Sequence, residues 1–293
     1  MKDAIYHDYK VGESVYTPDG QLRKITKVTS LSIVLENLGS IGIHTKTFSL
    51  LKLSEYSRVF RKLQEYKEHI ESEGLTVYAI ALKGSQNYNL SDEESDIDAN
   101  VVFIPTLDQL RKNYKTKFTF DTGEVTCHNI YAFASIVAKG NPQWVEVCNT
   151  PYVIGDLSYF SKYKVNPSAL KGMVMEKVEA FSKLYPSREK YVKEFGYDPK
   201  QLHHIIRLYD SLANNDPMFQ YFGKDRDNML DIKRGRYPDN VADAEALRDL
   251  YVDKIAQIYE AKKLAYKEQE VDYKYIDSIV MEYYMKGLNE KTN

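Results

Sequence analysis

Several features that mark whole classes of protein are scarce in this sequence. It has two cysteines, Cys127 and Cys148, and neither belongs to a CxxC pair or to a cysteine and histidine cluster with metal-ligand spacing. A disulfide framework and a structural zinc site are therefore not expected. The longest apolar runs, such as residues 77–82, are far shorter than the about 20 residues of a membrane-spanning helix, so we expect no membrane partner.

An excess of charge of one sign is also missing. Lys and Arg total 40, Asp and Glu total 42, and the net charge is -2. No overall positive field therefore draws the protein onto nucleic acid, and any such contact must be local. The opening residues contain no apolar stretch after Lys2, so we expect neither a signal peptide nor a transit peptide and predict a cytoplasmic protein.

The residue pattern predicts an α+β fold in three regions. Residues 1–53 contain short apolar segments separated by turns and predict a small SH3-like β-barrel. Its nearly balanced charge favours a packing or partner module over a nucleic-acid-binding one. Residues 54–165 combine an amphipathic helix with apolar strands, and residues 166–293 carry apolar stripes at helical spacing that predict a helical bundle.

The segment that carries chemistry follows a strand predicted at 76–82. Gly84 and Ser85 end that strand, and Asp96 and Asp98 stand at the start of the next one. Because side chains alternate along a strand, the two carboxylates leave the same face. Carboxylate oxygens are the ligands that Mg²⁺ prefers, and a glycine followed by a hydroxyl can hold phosphate oxygens. The segment therefore predicts a metal site next to a phosphate site.

This arrangement resembles the DNA polymerase β-like nucleotidyltransferases, whose pattern is a strand, Gly-Ser, a loop and a D-x-D strand. It is most similar to a bacterial and phage branch with GSxxYGL and SDxD motifs and a KGNPxxxE turn after a short helix. The matching residues of this chain are Gly84, Ser85, Asp96, Asp98, the run Lys139-Gly140-Asn141-Pro142, and Glu146. The resemblance covers residues from about 76 to 290.

Two positions depart from the pattern of that branch. The third carboxylate of the family is usually Asp, and the matching position here is Glu124, which is one methylene longer. Asp121, nearby in the same predicted hairpin, is the alternative. Asn89 stands where the branch prefers Gly. Asn is the non-glycine residue that best tolerates a left-handed backbone, so we expect this turn to persist.

A helical motif of the branch, similar to YDxKxxxHxxRL, matches residues 197–208. Lys200, His204 and Arg207 fall on one helical face, apart from the apolar stripe. The resemblance implies that these three side chains bind the phosphates of a nucleotide. A solvated helix face is the alternative. His203 points to a different face and is not expected to bind a ligand.

The resemblance implies a mixed-sheet nucleotidyltransferase palm domain in the middle region and a Mg²⁺-dependent enzyme. Such an enzyme moves a nucleoside monophosphate from an NTP, for example ATP, to a hydroxyl of RNA, protein or a small molecule and releases pyrophosphate. Asp96, Asp98 and Glu124 would bind two Mg²⁺ ions, for which Mn²⁺ could substitute. Gly84 and Ser85 would hold the phosphate oxygens.

A second hypothesis belongs to a different class of protein. The chain could be a catalytically weak scaffold that keeps the nucleotidyltransferase fold and binds nucleic acid or a partner protein. Glu124 in place of Asp and the additional N-terminal region favour this hypothesis. Asp96 and Asp98 argue against it, because a retired active site need not keep two carboxylates that repel each other. The acceptor and the preferred base have no visible determinant in the sequence.

Overall fold

The computed structural model describes residues 10–16, 22–29, 32–42, 51–91, 95–112, 114 and 116–290. Over these residues the protein is a mixed α+β structure with two five-stranded sheets and ten α-helices. Both cysteines are buried and free. Within the described part of the chain, no helix combines the length and the apolar character that a bilayer crossing requires.

The N-terminal sheet consists of short antiparallel strands. They are β1 (Ser14–Tyr16), β2 (Leu22–Val28), β3 (Ser32–Leu35), β4 (Gly39–Gly42) and β5 (Leu51–Lys52), in the order β4-β3-β2-β1-β5. Val15, Ile25, Ile33 and Leu35 form its small core. The described residues show no pairing of β4 with β5 that would close the sheet. Other residues of the predicted 1–53 barrel lie outside the described ranges, so its closure stays a prediction.

The second sheet is mixed, as predicted for the middle region. Its strands are β6 (Thr76–Lys83), β7 (Asp98–Ile104), β8 (Thr116–Phe120), β9 (Gly123–Asn129) and β10 (Val153–Gly155). Their order is β10-β6-β7-β9-β8. β7 and β9 run parallel, and the other neighbours are antiparallel. The apolar runs of β6 and β7 are almost entirely buried. Burial on both faces explains why their sequences are continuous apolar runs rather than alternating apolar and polar residues.

The helices account for most of the remaining chain. They are α1 (Leu53–Ser72), α2 (Leu107–Arg111), α3 (Ile130–Ala138), α4 (Pro142–Asn149), α5 (Pro167–Ala180), α6 (Glu189–Phe195), α7 (Pro199–Asn214), α8 (Gly223–Lys233), α9 (Val241–Ala265) and α10 (Tyr273–Glu290). Asn141 caps α4, since its side chain accepts a hydrogen bond from the backbone N–H of Gln143 at 3.1 Å. The KGNP run is therefore the end of α3 and the start of α4.

Contacts divide the chain into two compact units, each built from separated stretches. The sheet unit comprises Arg58–Gly84, Glu94–Asn166 and Lys267–Asn293, and the helical unit comprises Met1–Ser57, Ser85–Glu93 and Pro167–Tyr266. Two of these boundaries lie close to the predicted ones, after residues 53 and 165. The division into three consecutive domains, 1–53, 54–165 and 166–293, stays a prediction.

Each unit has its own apolar core. In the sheet unit, one face of β6 and β7 packs against α3, α4 and α10 through Ala79, Ala81, Val102, Ile104, Ile130, Phe133, Val137, Val147, Ile276 and Val280. In the helical unit, Tyr88 and Leu90 from the short loop pack with residues of α7, α8 and α9. The Gly84-Ser85 pair stands where the chain passes from the first unit to the second.

Candidate functional site

An acidic and basic row crosses one face of the sheet at the edge where β7 begins. Asp98, the first residue of β7, is paired with Lys83 at the end of β6. The parallel register of β7 and β9 aligns Ala99 with Val125, so Glu124 neighbours Asp98 on the next strand. Residues in register share a face of the sheet. Lys83, Asp98 and Glu124 therefore form a continuous polar row across three strands.

Direct contacts hold this row together. The backbone N–H of Glu124 donates a hydrogen bond to Oδ1 of Asp98 at 2.9 Å. Oε1 of Glu124 lies 3.8 Å from Nζ of Lys83, and Oε2 of Glu124 is in close contact with Nζ of Lys117. The structure thus places Glu124 next to Asp98, and Lys117 is a further contact of Glu124 that was not predicted from the sequence. Asp121, the alternative third carboxylate, is exposed in the turn before β9.

The turn between β8 and β9 fixes the segment that carries the two aspartates. Ile97 is buried between exposed Asp96 and half-buried Asp98, and its backbone N–H donates to the carbonyl of Thr122 at 2.7 Å. A Cβ placed on Gly123 would lie 2.3 Å from the carbonyl oxygen of Ile97. Only a glycine allows this approach, so Gly123 is needed for the position of the segment that carries Asp96 and Asp98.

The donor set fits a metal at the aspartates and fits less well at Glu124. Asp96 and Asp98 offer the hard oxygen ligands that suit Mg²⁺. Glu124, in contrast, directs both carboxylate oxygens at lysine ammonium groups. Among the described residues, no group of three His, Cys, Asp or Glu side chains is arranged to hold a metal ion. Metal binding by Asp96, Asp98 and Glu124 stays a prediction.

The turn after β6 has the backbone that its sequence predicts. Gly84 has φ +110 and Asn89 has φ +57, both in the region that ordinary side chains disfavour. Between them, residues Ser85–Tyr88 form one short 3-10 helix, and the N–H of Leu90 closes the loop on the carbonyl of Ser85 at 3.0 Å. The expectation that Asn89 can replace the glycine of this turn is confirmed.

Cations of α8 hold the loop that Ser85 begins. Arg226 donates from Nε to the carbonyl of Asn89 at 2.7 Å and from a terminal nitrogen to the carbonyl of Ser91 at 3.0 Å. Lys233 donates to the carbonyl of Leu90 at 3.2 Å. Arg226 could not be predicted from the sequence, because an isolated arginine belongs to no pattern. Only the tertiary structure shows that its donors meet two carbonyls of one loop, 135 residues or more away in sequence.

The α7 motif reaches the same loop within the helical unit. The guanidinium of Arg207 lies 4.2 Å from the centre of the Tyr88 ring, and Arg207 is buried rather than solvated. His204 is half-buried and Lys200 is exposed. A fully solvated face is therefore excluded for Arg207. Phosphate binding by Lys200, His204 and Arg207 stays a prediction.

Both histidines of this motif are held neutral. Burial, followed by the charges of Arg207, Lys233 and Lys200, lowers the pKa of His203 to about 3. Burial, then His203 and the same α7 cations, hold the pKa of His204 well below its ordinary value. His204 can therefore offer a hydrogen bond but no positive charge near neutral pH. The positive charge of this helix comes from Lys200 and Arg207.

Asp198 of the same motif has a structural task. Its buried carboxylate accepts two hydrogen bonds from Arg188, at 2.9 and 2.5 Å, one from Gln201 at 2.9 Å, and one from the backbone N–H of Lys200 at 3.0 Å. Burial alone would raise the pKa of Asp198, but the hydrogen bonds from Arg188 and Gln201 lower it. The Tyr-Asp-Pro-Lys sequence therefore caps α7 and sets where the helix begins.

Comparison with known proteins adds little to this geometry. No family model matches the sequence, and no curated protein matches it. Among solved structures, the chain is similar to a nucleotidyltransferase-like protein from Exiguobacterium sibiricum 255-15, at 11% identity, over 69% of this chain and 75% of that chain, with a TM-score of 0.25. A likeness this distant carries no argument about activity.

Proposed function

We propose that the protein is a Mg²⁺-dependent nucleotidyltransferase that moves a nucleoside monophosphate from an NTP to an acceptor hydroxyl and releases pyrophosphate. The pairing of Lys83 with Asp98 carries this proposal. This pairing brings the Gly84 turn, where phosphate oxygens can approach the backbone, directly beside the carboxylate of Asp98 at the start of β7. A phosphate-binding turn next to metal-binding carboxylates is the minimum that nucleotidyl transfer needs.

Asp96 and Asp98 are the residues that would hold the metal. When bound, Mg²⁺ would neutralise phosphate charge and lower the pKa of the attacking hydroxyl. Asp98 is preorganised for this task, because one of its oxygens already accepts the hydrogen bond from the N–H of Glu124. That bond orients the carboxylate and leaves its other oxygen to bind the cation.

The chain's own groups would bind and orient the triphosphate. The backbone of Gly84 and the hydroxyl of Ser85 offer donors at a turn that only a small residue can form. Within the helical unit, the guanidinium of Arg207 lies against Tyr88 of the loop that Ser85 begins, and it would add positive charge near that loop. Lys200 would add a second charge and neutral His204 a hydrogen bond. Such fixed charges stabilise the leaving pyrophosphate.

The test incubates the purified protein with each α-labelled NTP and Mg²⁺, together with separate pools of cellular RNA, cellular protein and small metabolites. We expect label in one pool, which names the acceptor class. Asp96→Asn/Asp98→Asn should reduce labelling by about a hundredfold or more, since the metal site is lost.

Asp108→Asn is the matched control for that variant. Asp108 is an exposed aspartate on α2 that pairs with Lys112 at 2.8 Å, so its replacement should leave labelling unchanged. Absence of label from every pool, combined with metal-independent binding of RNA or protein, would refute the enzyme and support a scaffold that retains the fold.

A further inference from the structure

Positive charge lies next to both carboxylate oxygens of Glu124, and a metal ligand would need one of these oxygens to be vacant. Lys83 faces Oε1 and Lys117 faces Oε2, while the backbone N–H of Glu124 faces Asp98. Two carboxylates in one site repel each other unless positive charge lies nearby. Here the charge of Glu124 is already balanced by two ammonium groups of the chain.

The fold supplies Lys117 to this place by strand register. Phe120 stacks on Tyr66 with ring centres 4.3 Å apart, and Phe118 packs edge-on to His69 at 5.8 Å. These contacts bind one face of β8 to α1. Because side chains alternate, Lys117 lies on the opposite face, which is also the face of Glu124.

We infer that Glu124 is a positioning residue that holds the ammonium groups of Lys83 and Lys117 beside Asp98, where they bind phosphate oxygens of the nucleotide. The metal is then held by Asp96 and Asp98 without Glu124. This inference rests on the proposed function and deepens it. It assigns Glu124 to holding a pair of lysine ammonium groups for the phosphates, instead of binding the metal as a third carboxylate.

The physical reason lies in the freedom of a lysine side chain. The Lys117 side chain is 54% exposed, and a long exposed side chain loses rotamer entropy when it is held in one place. The backbone of Glu124 is held in β9 and donates a hydrogen bond to Asp98, so the Glu124 carboxylate can restrict the ammonium before the nucleotide arrives. The phosphate then meets an ordered cation at a lower entropic cost.

The first experiment measures Mn²⁺ binding without nucleotide, by electron paramagnetic resonance, so that no catalytic activity is needed. Glu124→Gln should keep the Mn²⁺ Kd within about twofold of the wild-type value, whereas Asp98→Asn should raise it by about tenfold or more. Circular dichroism and thermal unfolding of both variants establish that they are folded.

The second experiment is a double-mutant cycle on the Kd of non-hydrolysable analogues of the four NTPs, measured with Mn²⁺ present. Lys117→Met should weaken binding of the preferred analogue by about tenfold, and Lys117→Arg should restore it to within about threefold. In the Glu124→Gln background, Lys117→Met should weaken binding by less than about threefold, because the lysine is no longer positioned.

The outcomes separate this inference from the proposed function. If Glu124→Gln weakens Mn²⁺ binding as much as Asp98→Asn does, Glu124 is a metal ligand and the inference is wrong while the proposed function stands. If the effects of the two substitutions on nucleotide binding are additive, the positioning role is wrong. If the wild-type protein binds neither Mn²⁺ nor any analogue, the proposed function fails, and the inference fails with it.

Discussion

At the scale of single residues, His203 is the most unusual side chain of the helical unit. It is 4% exposed, and neither ring nitrogen has a hydrogen-bond partner among the described residues. Lys200 and Arg207 on its own helix and Lys233 on α8 add positive charge around it. Burying an imidazole without partners costs free energy, and gaining a proton there would cost far more.

This environment makes the stability of the fold depend on pH. The unfolded pKa of histidine is about 6.5, and the folded pKa of His203 is about 3. The folded state therefore binds fewer protons between these values, so the free energy of unfolding should fall as the pH is lowered from about 6.5 towards 3. His203→Leu, which nearly conserves volume, should reduce this slope in urea unfolding measured across that range.

The lowered pKa of His204 also makes the free energy of unfolding fall as the pH is lowered. His203→Leu should therefore reduce the slope without abolishing it. His69→Leu is the comparison, because His69 is an exposed histidine on α1 in the sheet unit. An unchanged slope in His203→Leu would show that His203 gains its proton in the folded state.

At the scale of elements, the local residue pattern predicts helices but misses contacts that depend on other segments of the chain. The amphipathic helix predicted in the middle region is α1, which buries Val59, Leu63 and Tyr66 on one face, because helical spacing is a property of one segment. Strand β10, in contrast, pairs with β6, which is distant in sequence, and the contact of Lys117 with Glu124 forms only when β8 and β9 pair across their turn. No periodicity within either segment records those neighbours.

The turn before β9 shows how one element positions another. We expect Gly123→Ala to lower the free energy of unfolding by about 1–3 kcal/mol, because the added methyl group overlaps the carbonyl of Ile97. The displaced Asp96 and Asp98 should also bind Mn²⁺ more weakly. Gly172→Ala is the control. Gly172 is helical with open space around it, and alanine at this position should raise the free energy of unfolding by about 0.5–1 kcal/mol.

The loop after Gly84 depends on α8 in a similar way. Arg226→Met removes two charge-assisted hydrogen bonds to the carbonyls of Asn89 and Ser91. We expect faster amide exchange over residues 85–91 and about tenfold weaker binding of a non-hydrolysable NTP analogue. Arg236→Met, which removes an exposed arginine near Asp231, should change neither quantity. Unaltered exchange in Arg226→Met would show that other contacts hold the loop.

At the scale of the whole molecule, the folding units are not continuous in sequence. A helical C-terminal region was predicted correctly as a set of helices, yet its last helix belongs to the sheet unit. Ile276, Ile279 and Val280 of α10 are buried there. An amphipathic pattern shows that a helix has an apolar face but does not show which core receives that face.

Substitutions on α10 test this assignment. Ile276 is fully buried in the core of the sheet unit, so Ile276→Ala should lower the free energy of unfolding by about 2–5 kcal/mol. Met281 is 57% exposed on the same helix, and Met281→Ala should change it by less than about 0.5 kcal/mol. Equal effects of the two substitutions in urea unfolding would place α10 outside that core.

The position of α10 also affects how the protein folds while it is synthesised on the ribosome. Domains commonly fold as their residues emerge, beginning at the N-terminus. The core around β6 and β7 cannot be completed in that order, because Ile276 and Val280 are synthesised long after the strands that they cover. The nascent chain therefore carries a partly uncovered apolar face from the synthesis of β7 until α10 has emerged from the ribosome, and this exposed face favours aggregation until α10 covers it.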